Sequence, residues 1–432
     1  MSGPPTLGAW LARLETLHPK PIAMGLDRVA EVATRLGATI GCPVVTVAGT
    51  NGKGSTCAML ESIYRKAGYR TGLYTSPHLI RFNERIRIAG AEVDDATLVA
   101  ALAEVDAART RAPDAVPLTY FEFGTLAALS IFAASRLDVV VLEVGLGGRL
   151  DAVNVVDADV AVITTIDIDH VEYLGDTREA IGAEKAGIMR AGRIAICGDD
   201  DPPQSLVRHA REIDAPLWRI GHEYRYRVEG LQWRYEGPGG ARYGLPHPAL
   251  RGRYQLANAA TALAAQDALR SRLPVPGGAL RDGLVGVELA GRFQVLPGRP
   301  ATVLDVAHNP HAARALAATL DAMGRYARTY AVFGMLADKD IDGVIAALAP
   351  RIGTWHVATL PGPRGATGEF LAARLAAAGV AVSDVRIFGD VAEAWRAAAA
   401  EAGEAARIAA FGSFLTVAAV LAAIRERAHP AA

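Results

Sequence analysis

Two apolar runs in the chain carry no alternation: DVVVLEV at 138–144 and DVAVITTI at 159–166. A strand with one wet face alternates apolar and polar residues, so runs of this kind belong to a sheet covered on both faces. Shorter runs recur at Pro43–Ala48, Thr71–Thr75 and Arg193–Cys197, and helical spacing separates them at Lys53–Lys66, Phe121–Ser135 and Thr177–Met189. Strand and helix in alternation predict a mostly parallel α/β sheet. From Leu217 to about Gly244 the chain turns rich in Trp, Tyr, Arg and Gly, which predicts a small antiparallel excursion. An alanine-rich helix over Tyr254–Leu269 follows, and then GRFQVLPGRP (Gly291–Pro300), which reads as a linker. Beyond it, strands predicted at Thr302–Val306, Tyr330–Phe333, Thr354–Ala358 and Ala406–Phe411, each followed by a helix, make a second, smaller α/β domain.

The first strand runs into VAGTNGKGST (Val47–Thr56), a near relative of the phosphate-binding pattern G-x-x-x-x-G-K-[ST]. Here Gly54 separates Lys53 from Ser55. A strand, a glycine turn and a helix start aim several N–H groups and the positive end of a helix dipole at one point, where an anion fits. Gly49, Gly52 and Gly54 allow close approach to phosphate, Lys53 supplies a point charge, and Ser55 or Thr56 can cap the helix or reach a phosphate or metal. The alternative is a tight strand–helix turn with no ligand. Lysine weighs against that alternative: of 45 basic residues only five are lysine, at positions 20, 53, 66, 185 and 339. An exposed charge is served equally well by arginine, whereas a compact or deprotonatable amine is not.

In open parallel sheets ligands bind beyond the carboxyl ends of the strands. The polar residues there are Ser76, Glu143, Asp167, Asp169 and His170. A hydroxyl and carboxylates beside a triphosphate suit Mg²⁺; His170 taken alone reads better as a hydrogen-bonded turn residue. In the second domain Asp305, His308 and Asn309 of LDVAHNP occupy the corresponding position, with Pro310 suited to a first helical turn. Asn309 there serves equally as an N-cap.

The composition, 51% hydrophobic and 21% charged with a net charge of −1, describes a globular chain with no electrostatic bias toward nucleic acid or an anionic membrane. The N-terminus lacks the basic and apolar segments of a signal peptide, and no apolar run is long enough to span a bilayer. Cys42, Cys57 and Cys197 have no paired spacing, so neither a disulfide framework nor a zinc site is expected, and the expected location is the cytoplasm.

GTNGKGS, YTSPHL, LEVGLGGRLDAVN, DHVEYLG, EKAGIM, GRFQ, DVAHNPHAA and GSFLTVA occur in that order, within a stretch from about Leu11 to beyond Phe414. In this set the chain closely resembles the bacterial dihydrofolate synthase/folylpolyglutamate synthase family of the Mur ligase superfamily, whose phosphate loop also has glycine after the lysine. The resemblance implies a P-loop-type ATPase domain over residues 1–293 and a smaller C-terminal Rossmann-like domain over 294–432. It also implies a ligase that transfers the γ-phosphate of ATP to a carboxylate, after which L-glutamate displaces phosphate to form an amide. By resemblance Thr50, Asn51, Gly52, Lys53, Gly54, Ser55, Asn258, Arg292 and Asp305 bind ATP, with His308 near the γ-phosphate. Ser76, Glu143 and His170 would hold Mg²⁺, with two ions expected and a monovalent cation besides. Lys185 matches a lysine that is carbamylated in these enzymes, and as an anion it would join Ser76, Glu143 and His170 in holding the metal; Lys53, Lys185 and His308 form the expected catalytic set. The plain alternatives are a surface Lys185 paired with Glu184 and a solvent-facing Asn258.

LTYFEFGT and GRLDAVN resemble the dihydropteroate-binding segments of the bifunctional bacterial type, which adds glutamate to both dihydropteroate and tetrahydrofolates. They assign Thr119, Tyr120, Phe121, Glu122, Leu150, Asp151 and Ala152 to the pterin, Phe121 by stacking and Glu122 or Asp151 by hydrogen bonds; simple core packing is the other reading of Phe121. GLDRV (Gly25–Val29) lies near the expected pterin loop, and Ile22-Ala23-Met24 before it differ from an acidic version in the family. A tetrahydrofolate-only synthase, another Mur-type ligase and a non-catalytic nucleotide-binding regulator are the competing functions. The expected enzyme is a monomer that closes about Gly291–Pro300.

Overall fold

The computed structural model describes residues 3–18, 20, 22–111 and 114–428. The chain divides into two compact units, Met1–Ala249 with Leu256–Val287, and Leu250–Gln255 with Glu288–Ala432.

The first unit is built on eight strands: β1 (Val44–Ala48), β2 (Thr71–Tyr74), β3 (Ile86–Ile88), β4 (Ala91–Glu92), β5 (Val139–Glu143), β6 (Val160–Ile163), β7 (Ala195–Cys197) and β8 (Leu217–Arg219). Their order is β4-β3-β2-β5-β1-β6-β7-β8. The unalternated runs become β5 and β6, which flank β1 in parallel and are buried along their whole length. The central ladder pairs Val47 with Glu143 and Ala48 with Ile163, so these strands end together. One margin turns antiparallel through the β3–β4 hairpin, where Ala89 and Gly90 both take the positive φ that a two-residue turn of this hand needs.

Only part of 217–244 is the antiparallel excursion that its composition predicts. Leu217–Arg219 instead continues the main sheet, parallel to β7. The separate three-stranded sheet is β9 (Arg225–Glu229), β10 (Gln232–Gly237) and β11 (Gly240–Pro246). Buried Asp267 of the helix Tyr254–Ala268 holds it by accepting from Tyr235 Oη (2.8 Å), Gly239 N (3.1 Å) and Arg242.

The second unit carries β12 (Gln294–Leu296), β13 (Ala301–Leu304), β14 (Thr329–Phe333), β15 (Thr354–Ala358), β16 (Val385–Phe388) and β17 (Arg407–Phe411), in the order β12-β13-β17-β14-β15-β16. Two of these differ from expectation. The presumed linker contributes β12, antiparallel to β13, and β16 lies between helices at Gly368–Ala377 and Val391–Glu401 where a single helix was expected. Both are edge strands, partly exposed, and so leave no buried apolar run to read.

Candidate active site

Lys53 opens the helix Lys53–Lys66, and Gly52 caps it at φ +91°. The loop takes its shape from steric demand. A methyl on Gly49, at φ +150°, would collide with Thr164 Oγ1, and one on Gly52 would lie 2.5 Å from Asn258 Oδ1. The loop is tied to the end of β6: Thr50 N donates to Thr165 O (2.6 Å), Thr50 Oγ1 to Asp167 O (2.9 Å), and Thr164 Oγ1 to Asn51 O (2.7 Å). Lys53 Nζ donates back to Gly49 O (2.9 Å) and Thr50 O (3.3 Å), which holds the ammonium over the loop. Ser55 is buried in the first turn. Asn258, buried rather than facing solvent, reaches the loop from the helix Tyr254–Ala268.

Glu143, 4% exposed at the carboxyl end of β5, accepts from Ser76 N through Oε2 at 3.0 Å, which brings two of the four expected metal-binding residues together. His170 follows β6 in the left-handed region at φ +54°, and its N–H donates to Asp169 Oδ1 (2.8 Å). Among the described residues no three His, Cys, Asp or Glu side chains converge in a way that could hold a metal unaided. A hydroxyl, a buried carboxylate and phosphate oxygens from a nucleotide do fit Mg²⁺, which is normally held by one or two carboxylates plus phosphates and retained water.

Lys185 is not a surface lysine. It is 3% exposed, while its neighbour Glu184 pairs instead with Arg149 (2.6 Å). Burial, reinforced by the positive Lys53 and opposed by Asp169 and Asp151, brings the Lys185 ammonium pKa down to about 7. The three charges that act on Lys185 come from the phosphate loop, the β6 end and the GRLDAVN segment, so these converge on it.

GRLDAVN clamps the helix Arg178–Ala186 that carries Lys185. Arg149 N donates to Glu184 O (2.8 Å), and a methyl on Gly148 would lie 3.0 Å from Lys185 Cα. Buried Asn154 donates from Nδ2 to Arg149 O (3.0 Å) and Gly187 O (3.1 Å) and accepts from Arg190 Nη2 at Oδ1 (2.9 Å). Asp151 is 4% exposed and accepts from Leu146 N (2.8 Å) and Val153 N (3.0 Å); burial raises its pKa to about 7.

The expected pterin segments adjoin one another. Thr119 caps the helix Tyr120–Ala134, and Glu122 closes the capping box by accepting from Thr119 N (2.7 Å). Glu122 Oε1 also accepts from Arg28 (2.7 Å), and Gly25 N reaches Leu150 O (3.4 Å), which draws in the GLDRV stretch. Phe121 is partly exposed; its ring centroid lies 6.1 Å from that of Tyr74, and it packs on Gly145. Leu150 is half-buried and Ala152 buried. Tyr120 meets the edge of Phe82.

In the second unit Arg292, Asp305 and His308 also form a cluster. Buried Asp305, after β13, accepts from Phe293 N and Ala307 N (both 2.8 Å), and burial raises its pKa. The Arg292 guanidinium lies 5.0 Å from the Phe414 ring centroid, with the His308 ring on the same phenyl at 6.3 Å. His308 Nδ1 donates to Val306 O (2.8 Å), so a neutral ring carries its lone pair on Nε2. Asn309 does cap the following helix, accepting from Ala312 N, with Pro310 at its first position.

Four contributors escaped sequence reasoning: Thr164 and Thr165, which pin the loop, Asn154, which positions the Lys185 helix, and Arg28, which holds Glu122. Only the threonines had a signal, since the TT of DVAVITTI ends a fully apolar strand of the same sheet as the loop strand.

Residues 47–266 match the Mur ligase middle domain and residues 291–414 the Mur ligase glutamate ligase domain. Dihydrofolate synthase/folylpolyglutamate synthase of Escherichia coli (strain K12) is 47% identical over 98% of this chain and 96% of its own length. The protein of the same name from Haemophilus influenzae is 43% identical over 85% and 86%. The solved structure of E. coli FolC in complex with DHPP and ADP superposes with a TM-score of 0.91 at 46% identity, covering 98% of both chains. A bifunctional folylpolyglutamate synthase/dihydrofolate synthase with Mn, AMPPNP and L-glutamate bound superposes at 0.89 and 46% identity, over 97% of this chain and 98% of its own. Similarity of this extent, spanning both units, makes the chain a member of the dihydrofolate synthase/folylpolyglutamate synthase family of Mur ligases.

Proposed function

We propose that the protein joins L-glutamate to dihydropteroate, giving dihydrofolate, and to tetrahydrofolates, giving polyglutamates, with ATP as energy source. The observation that carries this reading is the convergence of the glycine loop, Glu143 with Ser76, and buried Lys185 beside the segments that resemble a pterin site.

Thr50, Asn51, Gly52, Lys53, Gly54 and Ser55 would cradle the phosphates, with Asn258 at the loop and Arg292 and Asp305 contributing further ATP contacts. The substrate carboxylate attacks the γ-phosphorus; the bond to the β,γ-bridging oxygen breaks, and ADP leaves an acyl phosphate. The glutamate amine then adds to the acyl carbon, loses a proton, and phosphate departs as the amide forms. Phosphoryl transfer of this kind is chiefly positioning and charge neutralisation. Lys53 would supply one such charge, and His308 would serve the γ-phosphate, as the resemblance implies. Ser76, Glu143, His170 and carbamylated Lys185 would hold two Mg²⁺ ions, which would neutralise phosphate charge, and a monovalent cation would complete the set.

Lys185 suits carbamylation because burial makes its neutral amine accessible near pH 7. Its nitrogen adds to the carbon of CO₂ and releases a proton, which converts a potential cation beside metal ions into an anion. Phe121 would stack on the pterin, while Thr119, Tyr120, Glu122, Leu150, Asp151 and Ala152 line its site. Residues 1–293 would form the ATP-binding part and 294–432 the glutamate ligase part of a cytoplasmic monomer. No helix among the described residues is long and apolar enough to cross a membrane.

The test is product formation from ATP, Mg²⁺ and L-glutamate with dihydropteroate or tetrahydrofolate. Product with tetrahydrofolate alone would discard the dihydropteroate reading of Phe121 and Asp151.

A further inference from the structure

The second unit holds a cavity remote from its candidate catalytic cluster. Asp305 and His308 follow the carboxyl end of β13, whereas Thr329, Thr354 and Arg407 are the first residues of β14, β15 and β17. All four strands are parallel, so the two groups lie at opposite ends of one sheet. At the amino-terminal end a cavity of about 810 Å³ is lined by Arg325, Arg328, Arg351 and Arg407, with Tyr326, Asp321 and Asp384 among them. Four guanidinium groups face two carboxylates.

Those carboxylates are already engaged. Asp321 takes Arg351 (2.8 Å) and Asp384 takes Arg328 (3.0 Å). Arg407 is 6% exposed, donates to Leu320 O (2.5 Å) and Thr329 Oγ1 (2.9 Å), and lies 5.0 Å from the Tyr326 ring centroid. Among the described residues no carboxylate forms a salt bridge with it. The Asp321 carboxylate, which already takes Arg351, also attracts the Arg407 charge, and the guanidinium lines this open, arginine-rich depression. Exposed Arg325 adds a cation that forms no salt bridge with a carboxylate among the described residues.

We propose that this depression is a binding site for a dianionic oxyanion ligand, phosphate- or carboxylate-bearing, held by Arg325 and by Arg407, which has only a share of the Asp321 carboxylate. Planar guanidinium forks suit both oxyanions. The two surplus charges set the preference for a dianion over chloride.

The experiment follows the backbone amides of Gly324 and Gly353 by NMR while the intact protein is titrated with inorganic pyrophosphate and, separately, with citrate. Saturable shifts of these amides are expected. Response to pyrophosphate alone identifies a phosphate-bearing ligand, response to citrate alone a carboxylate-bearing one, and response to both a general dianion site. Arg325→Glu and Arg407→Gln should each weaken binding by about tenfold or more, the value of one charge-assisted hydrogen bond. Arg325 is exposed, so its substitution leaves the fold intact even where loss of Arg407 does not. Absence of saturable shifts with both probes, or affinities unchanged in Arg325→Glu, overturns the proposal.

Discussion

Replacing Asn154 by alanine isolates the clamp on the Lys185 helix. The substitution removes both donations from Nδ2 and the acceptor that Arg190 uses. Gly187 O keeps a weaker donor in Arg190 Nη1 at 3.3 Å, so Arg149 O loses most. Three lost hydrogen bonds at about 1 kcal/mol each, partly offset at Gly187 O, cost about 2–3 kcal/mol together. At roughly 2–4 °C per kcal/mol for a domain of this size, the melting midpoint falls by roughly 5–10 °C. Turnover falls as the Lys185 helix loosens, while ADP affinity holds, because the phosphate loop hangs from β1 and β6 rather than from GRLDAVN. Calorimetry, steady-state kinetics and ADP titration on one preparation separate these effects. An unchanged midpoint, or ADP affinity lost in parallel with turnover, would refute the reasoning.

Other perturbations have equally definite outcomes. Gly52→Ala forces a side chain into positive φ at about 1–2 kcal/mol and against Asn258; ADP titration should show weakened binding, and wild-type affinity would mean the loop shape is unimportant. Lys185→Arg should abolish ligation, and ¹³C-bicarbonate should give a carbamate NMR signal in the wild type alone; wild-type turnover in the variant removes the carbamate. His356, buried in β15 with its ring stacked on Phe388 and Nε2 3.2 Å from Glu401, has its pKa lowered chiefly by burial, with Glu401 opposing. Its folded pKa lies below its unfolded value of about 6.5, so the unfolded chain binds more protons below that pH and stability is lost as pH falls through it. Denaturant midpoints in His356→Gln should therefore fall less steeply with acid than those of the wild type; parallel slopes would exclude His356.

The helix Lys53–Lys66 and strands β1, β5 and β6 were legible because each is set by local pattern: a glycine loop, a helical stripe and runs buried on both faces. Edge strands were not. Val385–Phe388 exposes Arg386 and Ile387, and Gln294–Leu296 sits among glycines and prolines, so neither shows a buried period. The scarcity of lysine drew attention to Lys53 and Lys185, but the burial of Lys185 is a tertiary fact. The same holds for Asn154, whose partner Gly187 is 33 residues away. Glu122 and Asp151 stood out as polar residues in recognisable motifs; their carboxylates prove to accept backbone N–H groups that shape the very loops they belong to.

The most direct test of the account is the glutamylated product formed from ATP, Mg²⁺ and L-glutamate, resolved by mass spectrometry with dihydropteroate, with tetrahydrofolate and with neither. The account predicts product and stoichiometric phosphate release with each pterin and none in its absence. Failure to form product with either pterin would contradict it.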